Sequence, residues 1–513
     1  MSRPVRVRFA PSPTGPLHIG GVRTALYNYL FAKHYQGTFI LRVEDTDQNR
    51  YVPGAEDYIR ESLEWIGLQT DEGPASGGDF GPYRQSERKD LYGQYTQQLL
   101  DAGHAYYAFD TPEALSQARE TAEAQKETFK YDWKSRKSMR NSLSLDPTEV
   151  EKLLADGTPH VVRLKVMPEQ DVIFNDLVRG EVKYNSSELD DKVLLKADGM
   201  PTYHMANVVD DYLMQISHVI RGEEWLPSTP THVLLYQGLG WIDVMPRFCH
   251  VPLLLKPTGK GKLSKRDGAK FGMPVFPLDW TDPKTGEAID GFRERGFEPD
   301  AVVNFLSLLG WSPGDDTEMM DLEELVRRFD GQRIQKGGAR FDFDKAKWFN
   351  QQYLLKADPE DLLPRVQALL SEKGHERDAD FVRSYIALFQ ERVLLFSDFY
   401  DQGAYFFGAV AAYEEKMLRK KWKAEKRPHF DQLLSDLKSM TAFDATSLET
   451  QIKGFLEANE LGFGAIFPIL RIALTGSTKG PSVFDMMALM GQEMVTNRLA
   501  KAYNDFDKLL EIA

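Results

Sequence analysis

The stretch Arg8-Phe-Ala-Pro-Ser-Pro-Thr-Gly-Pro-Leu-His-Ile-Gly-Gly21 decides how this chain folds. Up to Phe9 the residues alternate, with Val5, Val7 and Phe9 pointing one way and Arg6 and Arg8 the other, which is the period of a β-strand. The proline-rich turn cannot continue a ladder, because proline has no N–H to donate. From Ile19 to His34 the apolar residues Leu26, Tyr29 and Leu30 recur at helical spacing. A second apolar run, Thr38-Phe-Ile-Leu-Arg-Val43, then ends in the acidic cluster Glu44-Asp45-Thr46-Asp47. Strand, helix and strand make a βαβ unit, so the expected fold is α/β, with a parallel sheet and ligands at the carboxyl ends of its strands.

Further strands of this sheet are expected at 192–196 and 216–221, with a helix at 230–239 between Trp225 and Trp241. The polar stretch 86–191 is too long for a loop and reads as an inserted domain. Beyond Phe341 the pattern turns helical, as in a helix expected over 379–400. No fixed-period repeat stands out.

A chain of 513 residues, 42% hydrophobic and 27% charged, supports several packed cores in three or four domains. It holds no apolar run long enough to cross a bilayer and no hydrophobic leader after Met1, so the expected location is the cytosol and no membrane partner is expected. The single cysteine, Cys249, excludes an intrachain disulfide or a multi-thiolate zinc site and reads as a buried hydrophobe. A net charge of −14 argues against a nucleic-acid partner on average, but binding depends on local clusters. Two runs are basic: 126–140, with Lys130, Lys134, Arg136 and Lys137, and 416–427, with Arg419, Lys420, Lys421, Lys423 and Lys426. Each is also what a solvated helix face looks like. Trp133 and Trp422 inside them suit either base stacking or anchoring on the protein's own core.

Two motifs carry chemistry. In the first, small residues let a ligand approach the backbone, and the helix N-terminus offers free N–H groups to a phosphate, with His18 as a further donor. In the second, Lys260-Gly-Lys-Leu-Ser-Lys-Arg266, a glycine-rich cationic loop can close over a polyphosphate and neutralise charge on leaving pyrophosphate. Each alone is also compatible with a plain connection or a surface loop.

Together, in this order, they resemble the HIGH and KMSKS signatures of the class I aminoacyl-tRNA synthetases. The likeness extends to Gly21-Val-Arg-Thr-Ala-Leu, Leu41-Arg-Val-Glu-Asp-Thr-Asp47, Gly81-Pro-Tyr-Arg-Gln-Ser86, Pro201-Thr-Tyr-His-Met-Ala-Asn-Val-Val-Asp-Asp211, Val219-Ile-Arg-Gly-Glu-Glu-Trp225 and Leu470-Arg-Ile-Ala-Leu-Thr-Gly-Ser477. All resemble the bacterial-type glutamyl-tRNA synthetase family, from one end of the chain to the other.

That resemblance implies a glutamate-tRNA ligase that makes glutamyl-adenylate and pyrophosphate from L-glutamate and ATP, then acylates the terminal ribose of glutamate tRNA. It implies a Rossmann-like catalytic domain in two segments (1–112 and 192–256), an inserted α+β acceptor-end domain (113–191), a KMSKS and stem-contact region (257–358) and a helical anticodon-binding domain (359–513). Arg8, Ala10, Ser12, Glu44, Tyr203, Asn207, Arg221 and Trp225 would form the glutamate pocket. Arginine suits the carboxylates and Glu44 the ammonium. Glutamine would leave a pocket arginine without its anion, at a cost of about 3–5 kcal/mol, which is discrimination enough without an editing domain. His18, Gly20 and Leu254 would hold ATP, with Lys262 and Lys265 on its phosphates and magnesium accompanying it. Arg392 and Arg471 would meet the anticodon, Arg392 rejecting glutamine tRNA, although a surface helix arginine reads the same way. The family also implies a monomer and activation that awaits tRNA.

Two departures carry information. The fourth position of the first signature is Gly21 rather than histidine, as in bacterial-type glutamate enzymes. The segment Ala105-Tyr-Tyr-Ala-Phe-Asp110, where some relatives begin a zinc site, has no cysteine, so no zinc is expected. Glu44, Asp47 and Asp267 read as solvated or capping carboxylates rather than metal ligands. The rivals are a glutaminyl or non-discriminating relative, an enzyme that glutamylates a modified tRNA base, a small-molecule nucleotidyltransferase of the same superfamily, and a non-catalytic tRNA-binding paralogue. The long helical half and the intact His18, Lys262 and Lys265 disfavour the last three.

Overall fold

A computed structural model describes residues 3–510. The chain divides into two compact units, one running up to Glu294 together with Pro299–Ala346, the other comprising Arg295–Glu298 and the residues from Lys347 onward.

The first unit opens on β1 (Arg6–Phe9), α1 (Ile19–His34) and β2 (Thr38–Leu41). The two strands are parallel, paired from Arg6 with Thr38 to Phe9 with Leu41, so the expected βαβ unit is present. All four residues of β1 are buried, Arg6 and Arg8 included. The polar face of the strand meets acids rather than water: Glu72 takes Arg6 and Asp211 takes Arg8.

After helices α2 (Ala55–Trp65) and α3 (Lys89–Asp101) comes β3 (Ala105–Ala108), and then α4 (Pro112–Ala124), α5 (Pro147–Ala155) and β4 (Val161–Leu164). The hairpin β5 (Asp171–Asp176) and β6 (Gly180–Asn185) follows, then β7 (Val193–Leu195), α6 (Tyr203–Leu213), β8 (His218–Gly222), α7 (Thr229–Gly238) and β9 (Arg247–Val251). β8 and β9 are parallel, and β9 is flanked by β5, giving the order β6-β5-β9-β8. Ser217, just before β8, donates its N–H to the Arg6 carbonyl at 2.9 Å and accepts the Arg6 N–H on its hydroxyl at 2.8 Å, which ties this sheet to β1.

One expected strand belongs elsewhere. Residues 193–195 pair antiparallel with β4 in the sheet β3-β4-β7, not in the parallel sheet. β9, not among the expected strands, lies between β5 and β8. The short β10 (Leu254–Leu255) and α8 (Lys265–Phe271) then flank the lysine loop.

The second unit is helical, with one core drawn from helices such as Pro359–Glu372, Ala379–Phe389 and Phe463–Thr475. The helix expected over 379–400 stops at Phe389. Asp398 captures the backbone N–H groups of Leu394 and Leu395 at 2.8 and 3.0 Å, and Asn350 holds the Leu394 carbonyl at 2.7 Å, so the chain turns instead of continuing. Trp422 is 1% exposed in this core and donates to Asp507 at 2.8 Å, so it anchors the protein on itself and does not stack on RNA. Cys249 is buried, and burial pushes its thiol up, as expected of a small hydrophobe. Among the described residues no helix is long and apolar enough to cross a membrane.

Candidate active site

The carboxyl ends of β1, β2 and β8 converge on a network of buried charge. Arg8 donates from Nε and Nη2 to the two carboxylate oxygens of Asp211, at 2.9 and 3.2 Å. Arg42, directly after β2 and with no solvent exposure, donates to Asp211 at 2.7 Å and to Glu44 Oε1 at 2.9 Å. Asn207 donates to the same Glu44 oxygen at 2.9 Å. Burial alone would raise the Asp211 carboxyl, but Arg8 and Arg42 outweigh it and hold it below the usual carboxylate range. Two cations and two anions thus balance within the protein. Among the described residues Glu44 Oε2 accepts no hydrogen bond, and the buried Asn207 Oδ1 has no partner.

Arg221, on β8, is different. Its guanidinium donates to His250 Nε2 (3.1 Å), the Tyr203 hydroxyl (2.8 Å), the Trp225 carbonyl (3.3 Å) and Thr229 Oγ1 (2.9 Å). Every one of these acceptors is neutral. At 6% exposure Arg221 is a buried cation with no carboxylate within ion-pair distance among the described residues. Tyr203 packs its ring on Trp225 with centroids 4.6 Å apart, and Trp225 is 42% exposed. These two rings, Ser12 and Glu44 line a cavity of about 370 Å³, together with Asp45, Asp47, Gln85, Lys196 and Thr202. Ala10 lies half-buried immediately after β1.

His18 is the N-cap of α1. Its Nδ1 accepts the Gly20 N–H at 3.1 Å, so in the neutral ring the proton resides on Nε2, which is buried without a partner. Burial, then the charges of Lys262 and Lys265, push its pKa down to about 4, which keeps the ring neutral near pH 7. A Cβ placed on Gly20 would meet His18 Nδ1 at 3.4 Å and Leu254 Cδ1 at 4.0 Å, so the three share one small space. At Gly21 a Cβ would fall 2.6 Å from Leu17 Cδ1, which explains in packing terms why histidine is not accommodated there without moving Leu17.

The lysine loop faces this turn. Lys262 pairs with Glu224 at 2.6 Å, half-exposed. Lys265 starts α8, with Nζ 5.4 Å from the Phe276 ring centroid and 3.6 Å from where a Cβ on Gly15 would stand. Asp267 closes a capping box with Ser264 and pairs with Lys256 at 3.0 Å, as a capping carboxylate does. Asp47 pairs with Arg50 at 2.8 Å. Among the described residues no cluster of three His, Cys, Asp or Glu side chains is arranged for a metal.

In the second unit Arg392 lies in the turn after the helix Ala379–Phe389, not on a helix face, and lines a cavity of about 690 Å³ with Tyr405 and Lys479. Arg471 donates to the Pro481 carbonyl, and both arginines act on the buried Tyr405 hydroxyl, whose pKa burial raises against their pull. In the basic run of the first unit, the Lys134 and Lys137 ammonium groups lie 5.2 and 5.6 Å from the Trp133 ring centroid.

The sequence reading missed Arg42, Asp211, Asp176 and His250. A signal existed for Arg42, an arginine inside the apolar run Phe-Ile-Leu-Arg-Val, which must meet an acid if the strand is buried. Which acid it meets is set by the fold alone.

Residues 4–348 match the family described as tRNA synthetases class I (E and Q), catalytic domain, and residues 351–503 match an anticodon binding domain. A relative from Porphyromonas gingivalis W83 named glutamate–tRNA ligase is 53% identical over 503 residues, 98% of this chain and 99% of its own. One of the same name from Phocaeicola vulgatus is 52% identical, with 98% of both chains covered. The crystal structure of a glutamate tRNA ligase from Elizabethkingia meningosepticum in complex with its amino acid is 50% identical, with a TM-score of 0.93 over 98% of this chain and 99% of that one.

Proposed function

The chain belongs to the class I aminoacyl-tRNA synthetases of the glutamate and glutamine subclass, its activity is the ATP-dependent ligation of glutamate to tRNA, and we propose that Arg221 is what selects glutamate. The observation that carries this is how the buried arginines are paired. Arg8, Arg42, Asp211 and Glu44 pair directly with one another, which leaves Arg221 as a buried cation whose own contacts are all neutral. Glutamate brings a side-chain carboxylate that can pair with it. Glutamine brings none.

In this reading the substrate ammonium donates to the open Glu44 Oε2, Asn207 and Tyr203 orient it, Trp225 covers it, and Ala10 and Ser12 form the backbone wall. Arg8 shapes the pocket while remaining with Asp211. The α-carboxylate attacks the α-phosphorus of ATP, one phosphoanhydride bond breaks and pyrophosphate leaves. His18 Nε2–H is a donor aimed at phosphate oxygen, and Lys262 and Lys265 neutralise the departing charge once Lys262 exchanges Glu224 for phosphate. Gly20 and Leu254 border the adenine. The 2′- or 3′-hydroxyl of the tRNA then displaces AMP from glutamyl-adenylate. Catalysis is positioning and electrostatics, without a covalent enzyme intermediate.

The rest of the reading takes ATP as its magnesium complex and glutamate tRNA as partner, with the insertion (113–191) at the acceptor end and the helical part (359–513) at the anticodon. It also takes the chain as a cytosolic monomer whose activation step awaits tRNA. The test is aminoacylation with glutamate and glutamine in parallel on separate glutamate and glutamine tRNA pools. Arg221→Leu is expected to raise the KM for glutamate at least about 100-fold and leave that for ATP unchanged. An unchanged glutamate KM would refute the assignment.

A further inference from the structure

Arg221 is held by a second buried pair whose charge arrangement is unusual. His250 has no solvent exposure and bridges Arg221 to Asp176, which is itself 3% exposed. Its Nδ1 lies 2.7 Å from Asp176 Oδ2, an oxygen that only accepts, so Nδ1 carries the proton. Its Nε2 is then bare and accepts from Arg221 Nε at 3.1 Å, and it lies 3.2 Å from Thr229 Oγ1. Asp176 is fixed from behind. Its Oδ2 also accepts the His250 backbone N–H at 3.1 Å, and its Oδ1 accepts those of Val178 and Arg179, both at 2.9 Å. Burial holds His250 below the ordinary histidine range against the pull of Asp176, so the ring stays neutral.

The nearest carboxylate to Arg221 along this chain is therefore kept one imidazole away. An acid at position 250 would bind the guanidinium more strongly than a neutral nitrogen does, because charge-assisted hydrogen bonds are the stronger ones. It would also supply the anion that, in the proposed pocket, only the substrate supplies. The imidazole fixes the guanidinium's direction and leaves its charge uncompensated.

We infer that His250 and Asp176 are positioning residues that set the choice of acid over amide, His250 acting as a neutral spacer between Asp176 and Arg221. The inference rests on Arg221 being the selecting group. It adds that the discrimination resides in the identity of the residue behind Arg221 and is transferable by moving the anion one link forward.

The experiment uses the full chain with glutamate tRNA, ATP–pyrophosphate exchange, and three variants whose folding is checked by circular dichroism and thermal melting. The double variant Asp176→Asn with His250→Glu conserves net charge and moves the anion next to Arg221. Its ratio of kcat/KM for glutamate over glutamine is expected to fall roughly 100-fold, through a raised glutamate KM, with the ATP KM unchanged. His250→Gln, which offers an amide oxygen to Arg221 and an amide N–H to Asp176, should stay within about tenfold of wild type for glutamate. His250→Leu, which offers neither, should raise the glutamate KM well beyond the glutamine variant. A folded double variant with the wild-type ratio overturns the inference. Should the double variant not fold, equal glutamate KM values for His250→Gln and His250→Leu overturn it. A wild-type chain indifferent to Arg221→Leu would instead remove the reading of the pocket on which the inference stands.

Discussion

Replacing Asp211 with asparagine removes one negative charge and almost no volume from the centre of the buried network. The carboxylate accepts three charge-assisted hydrogen bonds, two from Arg8 at 2.9 and 3.2 Å and one from Arg42 at 2.7 Å. All three side chains are essentially sealed from solvent, with exposures of 3%, 3% and 0%, so water does not screen the loss. In the variant two buried guanidinium groups share one remaining anion, Glu44, and breaking a buried pair in this way costs about 3–5 kcal/mol. For a unit of this size that corresponds to a fall in Tm of roughly 4–7 °C, read by calorimetry at pH 7. The pH dependence gives a second check. Burial favours the protonated Asp211, but its two arginines win and its folded pKa lies below the unfolded value of about 3.9. Stability from this group is thus fully present above about pH 4 and is lost as the pH falls through the lower folded value. Wild type should lose its advantage over the variant in that acid window. A Tm change below about 1 °C at pH 7, or an advantage constant down to pH 2, would refute the account of this network as a compensated set of charges.

Two further outcomes are expected. His18→Ala should lower kcat about 100- to 1000-fold, the loss measured for a single donor to developing charge, with little change in the KM for glutamate. Because the folded pKa of His18 is about 4, its neutral form contributes stability that is full above about pH 6.5 and declines as the pH drops towards 4. The same shift means that between pH 6 and 8 the rate profile of wild type has no inflection from this group. Arg392→Gln should allow charging of glutamine tRNA while the KM for glutamate stays unchanged, measured by aminoacylation of the two tRNA pools. If glutamine tRNA stays uncharged, the discriminating role of Arg392 is wrong.

Local pattern was enough for the start of the fold. Helix α1 runs from Ile19 to His34 as its spacing indicates, and β1 and β2 pair in parallel as a βαβ unit must. What local pattern could not reveal was partner choice. Residues 193–195 have strand character, but they pair with β4, beyond the β5–β6 hairpin, because strand pairing is decided by the chain that arrives alongside. The helix over 379–400 has its apolar repeat, yet it breaks where Asp398 and Asn350 compete for its backbone groups. A repeat counts apolar side chains, whereas the break is a matter of hydrogen bonds made by polar ones.

The site divides along the same line. The residues carried by motifs, His18, Glu44, Tyr203, Asn207, Arg221 and Trp225, come together around one cavity and the adjoining turn. Their sequence alone made Arg8 and Arg221 look equivalent, two arginines for two carboxylates. They are not, because Arg8 has Asp211 and Arg221 has only neutral acceptors. In water the distinction would matter little, since solvent compensates any charge. In a closed compartment an unmatched charge is the dominant energy, so in the proposed reading the pairing of the arginines, and not their number, sets which amino acid is accepted. That pairing depends on Arg42 and Asp211, and on Asp176 standing behind His250, none of which lines the cavity, so the proposed specificity belongs to the buried surroundings of the pocket as much as to its lining.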